Sequence, residues 1–348
     1  MAAKDHQPLH IAVFPWLAFG HIIPYLELSK HVAQRGHRIS FISTPRNIDR
    51  LLKLPPHLSS SIALVKIPLP RIAELPENAE ATMDIHGGQM DHLKTAFDGL
   101  EAGLTRFLED SRPDWIIYDF AAHWLPPVAA GLGISRAFFL NINAWFLAFF
   151  GPADALVNGS DDRTKPEDFT VPPKWVKFQT KVAYRRYEAD WIFGSGPVRK
   201  ASEPDPIELP RGFEERVSGR GIVWRSWAPQ LKILSHESVG GFLTHCGWSS
   251  IVEGLMFGHP LITLPFLVDQ DLNSRVVVKN QLGREIPRNE QDGSYTRNSV
   301  AESVKFVMLQ EEGRKFRGRA QEMSTVFSDT ELHSRYIDNA IEFLENHV

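Results

Sequence analysis

The sequence predicts an α/β protein built from two doubly wound halves, and three observations carry that reading. Short apolar runs alternate with longer stretches of helical period through the first half of the chain, the pattern of a parallel βαβ sheet. The same alternation resumes after about Pro210. From Asn158 to about Pro210 the chain collapses into Pro, Lys, Asp and Arg with no period, which reads as a linker. A length of 348 residues, 43% of them hydrophobic, is enough for two domains with sizeable cores.

In the first half, Ile11 to Phe14 reads as a strand, Pro24 to Arg35 as a helix ended by Gly36, and His37 to Ser43 as the next strand. A weaker strand, Ile62 to Ile67, and a long helical stretch, Gly88 to Asp110, precede the strong strand signal Trp115 to Tyr118. Ala121 to Gly131 follows as helix, Arg136 to Leu140 as strand and Ala144 to Val157 as helix. The second half contributes four expected strands: Ile222 to Ser226, Gly241 to Thr244, Leu261 to Leu264 and Arg284 to Ile286. Three amphipathic stretches close the chain: Ser299 to Glu311, Arg314 to Phe327 and Glu331 to Asn346.

A net charge of −4 without any block of like charges argues against nucleic acid and against a polybasic membrane anchor. The most apolar stretch, Ala137 to Val157, is interrupted by Asn141, Asn143, Gly151, Pro152 and Asp154, which argues against membrane insertion. One cysteine, Cys246, and a polar start to the chain lead us to expect a cytoplasmic protein, and a monomer. The 14 histidines include no HExxH pair and no Cys/His cluster, so no metal or other cofactor is expected.

The chemistry concentrates in the 44 residues from Trp227 to Gln270. Gly241 to Thr244 reads as a buried strand, His245-Cys246-Gly247 as a tight turn, and Ser249 or Ser250 as the N-cap of a helix continuing through Glu253. Free N–H groups at a helix start, after a strand and a Gly turn, suit a diphosphate. His245 adds a donor, Glu253 can accept from ribose hydroxyls, and Trp227 offers a face for a base.

The stretch WAPQLKILSH, GGFLTHCGWSSIVEGLMFGHP and LITLPFLVDQ resembles the signature box of plant secondary-product glycosyltransferases, which move a sugar from a UDP-sugar to a small lipophilic acceptor. The resemblance covers all 44 positions of the box and, more loosely, most of the chain. It implies two facing Rossmann-like domains of the GT-B type, with the nucleotide in the second. Trp227 would stack on uracil, Ala228 and Gln230 contact base and ribose, and Glu253 take the ribose. His245, Ser249 and Ser250 would hold the diphosphate, and Trp248, Asp269 and Gln270 would face the sugar. Ser249 stands where many relatives carry Asn, which shortens one phosphate contact.

In the first half, His21 lies in PWLAFGHIIP after the first strand, and Asp119 directly follows the strand ending in Tyr118, which puts both on one rim of a sheet. An imidazole there can take the proton of an attacking hydroxyl while a carboxylate fixes its tautomer. The resemblance makes His21 and Asp119 the catalytic pair and implies inversion at the anomeric carbon. Phe120, Trp145, Phe146 and Phe149 are read either as the lining of an acceptor pocket or as plain core.

Two further features bear on the resemblance. PWLAFGHIIP, FTVPPKW, HCGWSSIVEGL and YIDNAIEFL resemble the branch that extends sugars on flavonoid or terpenoid glycosides, often named as rhamnosyltransferases. Ahead of Trp227, the opening strands and helices of the second domain are missing: too few residues separate linker and box for more than about one βα unit. The expected domains are residues 1–196 with their linker, an incomplete UDP-sugar domain at 197–330, and a last helix, 331–348, returning to the first domain. The junction falls near Gly196-Pro197. Against the enzyme stands a second reading, a catalytically inactive small-molecule-binding remnant.

Overall fold

The computed structural model describes residues 7–86, 88–151, 161–193, 209–224, 228–266 and 269–347. The described chain divides into two compact units. One holds the residues up to Asn141 together with the chain from Glu331 onward, and the other runs from Ile142 to Thr330. The sequence reading put its boundary near residue 196, so the segment it read as the end of the first domain packs within the second unit.

The first unit is a five-stranded parallel sheet. Its elements are β1 (His10–Phe14), α1 (Phe19–Gln34), β2 (Arg38–Ser43), α2 (Pro45–Asp49), β3 (Ile62–Lys66), α3 (Met90–Asp98), α4 (Glu101–Ser111), β4 (Trp115–Tyr118), α5 (Leu125–Gly131) and β5 (Ser135–Phe138). The strand order is β3-β2-β1-β4-β5. The central strand β1 is buried along its whole length because both faces of a parallel sheet are covered. Alternate residues feed opposite cores: Ala12 and Phe14 pack with Leu93, Phe97 and Leu104, while Ile11 and Val13 pack with Ile22, Tyr25 and Leu26.

Helix α1 begins at Phe19, five residues before the expected start at Pro24, so His21 lies in its first turn rather than in a loop. Proline has no N–H for the carbonyl four residues back, which is why sequence reasoning starts helices at it. Here the Asn141 side chain supplies the missing donor to the Gly20 carbonyl, at 2.8 Å. The expected single helix from Gly88 to Asp110 is two, α3 and α4, broken around Gly99.

The second unit contains α6 (Ala144–Phe150), α7 (Arg186–Ile192), α8 (Phe213–Val217), α9 (Gln230–Leu234), β6 (Phe242–Thr244), α10 (Trp248–Met256), β7 (Leu261–Thr263), α11 (Gln270–Lys279), β8 (Gly283–Glu285), α12 (Arg297–Met308) and α13 (Arg314–Phe327). Its sheet has three parallel strands in the order β6-β7-β8. The fourth expected strand, from Ile222, is not formed among its described residues, and Ile222 is 89% exposed. A short apolar run becomes a strand only beside a partner, and none is paired with it. Ser226 lies outside the described residues, as does the expected junction at Gly196-Pro197. A last helix, α14 (Thr330–Asn346), packs on the first unit through Ile341 and Leu344, and Trp115 Nε1 donates to the Leu344 carbonyl at 3.1 Å.

The segment read as an unstructured linker is partly a packed layer. Phe169, Tyr184 and Ala189 are buried with Phe149 and Leu272, and Arg275 pairs with both Glu188 and Glu285. Periodicity misses such a segment because isolated aromatic anchors and paired charges hold it, rather than an apolar stripe. Beside this network, burial and then the Glu188 carboxylate push the Asp271 carboxyl up from 3.8 to about 8. A raised carboxyl keeps its proton in the fold after the unfolded chain has lost it. This contribution is therefore complete below about pH 4 and is lost as pH rises towards 8, with a slope of at most about 1.4 kcal/mol per pH unit. Urea unfolding at pH 5 and pH 8 is expected to show a shallower loss in Asp271→Asn than in the parent; equal slopes would remove Asp271 as the cause.

Candidate active site

In the first unit, strand order turns outward in both directions from β1 and β4, whose C-terminal ends lie side by side with Phe14 opposite Tyr118. Such a switch point opens the crevice where α/β sheets take ligands. Asp119 leaves β4 there, fully buried, and accepts from three donors: the Trp16 N–H at 3.0 Å, the Phe120 N–H at 2.8 Å and His21 Nδ1 at 2.7 Å. The bond to a carboxylate oxygen puts the His21 proton on Nδ1 and leaves Nε2 to accept one from outside. The His21 side chain is 18% exposed, enough to meet a substrate. The half-exposed Phe120 ring lies 5.5 Å from the imidazole. Asn141, which sequence reasoning passed over, holds the helix turn that carries His21. A helix continued back through Pro24 leaves one carbonyl seeking a donor, and that is the signal that points to such a residue.

The second unit forms the strand, turn and helix expected of the box. β6 ends at Thr244, the turn passes through Cys246 at a φ of 72°, and α10 opens at Trp248. Gly247 is the N-cap, not Ser249 or Ser250, and no side chain caps the helix. Ser249 and Ser250 therefore sit inside the first turn, where N–H groups have no partner within the helix. A side chain on Gly247 would start 2.8 Å from His245 Nε2, so it would displace the exposed imidazole from its place over the turn. Burial pushes the Cys246 thiol up, which keeps it protonated and inert.

Gln230, Ser250 and Glu253 come together: the Gln230 amide donates to Glu253 at 2.6 Å and lies 3.3 Å from the Ser250 hydroxyl. His245, Ser249 and Ala228 are exposed nearby in sequence, whereas Trp227 lies outside the described residues. Trp248 is half-buried, edge-on to Trp145 at 4.7 Å. Gln270 Oε1 accepts from the Phe266 N–H at 3.0 Å, and Asp269 accepts from Asn273 at 2.9 Å. Of the four aromatic residues considered for an acceptor pocket, Phe120 belongs to the first unit; Trp145, Phe146 and Phe149 belong to the second, where Phe149 is a core residue. A cavity of about 950 Å³ lies beside β8 between residues such as Arg185, Arg275 and Arg288, and includes none of these site residues.

Comparison with known proteins points the same way. The family model for UDP-glucoronosyl and UDP-glucosyl transferase matches residues 216–345. UDP-glycosyltransferase 91D2 of Stevia rebaudiana is 41% identical, over 98% of this chain and 96% of that relative. Soyasaponin III rhamnosyltransferase of Glycine max is 35% identical, over 99% of this chain and 97% of the relative. The alignment with the Stevia protein runs to 455 positions, so more than a hundred of them have no counterpart in these 348 residues. The second Rossmann-like unit is thus truncated. The crystal structure of Phytolacca americana UGT2 complexed with UDP-2fluoro-glucose and pterostilbene shares the fold with a TM-score of 0.72, at 21% identity over 98% of this chain and 100% of that one. No helix among the described residues is long and apolar enough to cross a membrane. By fold, by box and by identity along nearly its whole length, the chain belongs to the plant UDP-glycosyltransferases, an α/β family of the GT-B type.

Proposed function

We propose that the chain is an inverting glycosyltransferase that moves a sugar from a UDP-sugar to a hydroxyl of a small lipophilic acceptor or its glycoside, of flavonoid or terpenoid type. The observation that carries this reading is the His21–Asp119 pair at 2.7 Å on the switch point of the first sheet. His21 Nε2 takes the proton of the acceptor hydroxyl, whose oxygen attacks the anomeric carbon as the bond from that carbon to the β-phosphate oxygen breaks. Asp119 stabilises the imidazolium that forms. UDP departs with the bonding pair, and its charge is met by His245 and the open N–H groups of α10. Attack from the face opposite the leaving group inverts the centre, and the reaction uses no metal.

In this reading Trp227 stacks on uracil, Ala228 and Gln230 meet base and ribose, and Glu253 takes the ribose hydroxyls. Ser249 and Ser250 join His245 on the diphosphate, while Trp248, Asp269 and Gln270 face the sugar. The glycoside acceptor is suggested by the soyasaponin rhamnosyltransferase among the relatives.

Calorimetric titration with UDP tests the nucleotide half directly. Trp227→Ala is expected to weaken UDP by about 0.5–1.5 kcal/mol beyond lost area, the worth of an aromatic stack. Affinity that survives the loss of Trp227 and His245 together would place the site elsewhere. One observation favours the second reading, an inactive small-molecule-binding remnant: the nucleotide-side sheet has only three described strands.

A further inference from the structure

Asn273 is fully buried on α11, and all four hydrogen-bonding positions of its amide are used. Its nitrogen donates to the Cys246 carbonyl at 3.0 Å and to Asp269 Oδ2 at 2.9 Å. Its oxygen accepts from Asn143 Nδ2 at 2.6 Å and from the Trp145 indole at 2.8 Å. The partners leave no second orientation, since a carbonyl can only accept and an indole can only donate.

The peptide it holds is the one that matters for the turn. Cys246 occupies the left-handed region, costly for a residue with a side chain and maintained only where surroundings enforce it. Because a trans peptide sets its carbonyl and N–H antiparallel, fixing the Cys246 carbonyl on Asn273 directs the Gly247 N–H the opposite way, away from Asn273. The same amide anchors Asp269.

We propose that Asn273 is a positioning residue that presets the His245–Gly247 turn for a diphosphate and ties it to Asp269. The proposal rests on the nucleotide-site reading above and adds a residue outside the box to it. Asn143 and Trp145 are the outer support of the amide; of these three side chains, Asn273 is the one that hydrogen-bonds the turn.

The sole cysteine makes the turn directly observable. In the full chain, Asn273→Ala is expected to speed labelling of Cys246 by an aromatic disulfide reagent about tenfold or more, while Asn143→Ala, which removes one outer partner of the amide and the N-cap of α6, leaves the rate near the parent's. UDP and uridine titrations of the same proteins supply the functional arm. Asn273→Ala lowers UDP affinity about tenfold with uridine affinity retained, and Asn143→Ala keeps the ratio of the two. Should the alanine variant not fold, Asn273→Leu takes its place, since it keeps the side-chain volume and has no donor for the Cys246 carbonyl. Unchanged labelling, equal acceleration in both variants, or parallel loss of UDP and uridine would overturn the proposal. If His245→Ala leaves UDP binding intact, or the parent binds no UDP, the nucleotide reading fails and takes the functional half with it. If His245→Ala abolishes binding while Asn273→Ala leaves the UDP-to-uridine ratio unchanged, only the Asn273 role falls.

Discussion

Alanine in place of His21 is expected to lower turnover about 10²–10⁴-fold, the range of a positioned general base, in a chain whose missing block has been restored from a relative. The expectation follows from the buried Asp119 carboxylate, whose oxygens are already engaged by the Trp16 and Phe120 N–H groups and which therefore receives a proton-bearing Nδ1. Asp119→Asn is the sharper companion. The Trp16 N–H and His21 share Oδ2 while the Phe120 N–H takes Oδ1, so an amide here meets a backbone donor with its NH₂ in either orientation, and a neutral side chain no longer stabilises the imidazolium. Its turnover should fall nearly as far as that of His21→Ala, with UDP affinity unchanged. Wild-type turnover in His21→Ala would remove the base assignment.

Restoring the block is expected to have the second large effect. Parallel sheets are stable when both faces are covered and their edges short or protected, whereas here β6 forms one edge of a three-stranded sheet with Leu243 44% exposed. Just upstream, Ile222 is 89% and Trp224 58% exposed. Relatives carry more than a hundred additional aligned positions, enough for about three βα units. Expressed side by side, the restored chain should melt on the order of 10 °C higher. It should also turn over a UDP-sugar at least about 10²-fold faster, because a diphosphate site lacking a wall loses preorganised donors. Comparable melting and turnover in the two would show that the 348-residue chain closes its site without the block.

The sequence by itself determined the α/β class, the central strands and the identity of the box, because each is local. An apolar run such as Trp115 to Tyr118 announces a buried strand wherever it sits, and a tryptophan, histidine and glutamate at fixed spacing carry the family resemblance before any fold is known. Tertiary structure decided what depends on partners distant in sequence. Helix α1 starts before Pro24 because Asn141, more than a hundred residues on, supplies the donor that proline lacks. The run from Ile222 forms no strand in its described part, since an apolar pattern states only a readiness to pair. Part of the supposed linker, around Phe169 and Tyr184 to Ala189, is buried because Arg275 and Leu272 meet it, and neither leaves a trace in the segment's own period. Asn273 escaped notice for the same physical reason: a buried amide matters through its four partners, and these are contributed by residues 143, 145, 246 and 269.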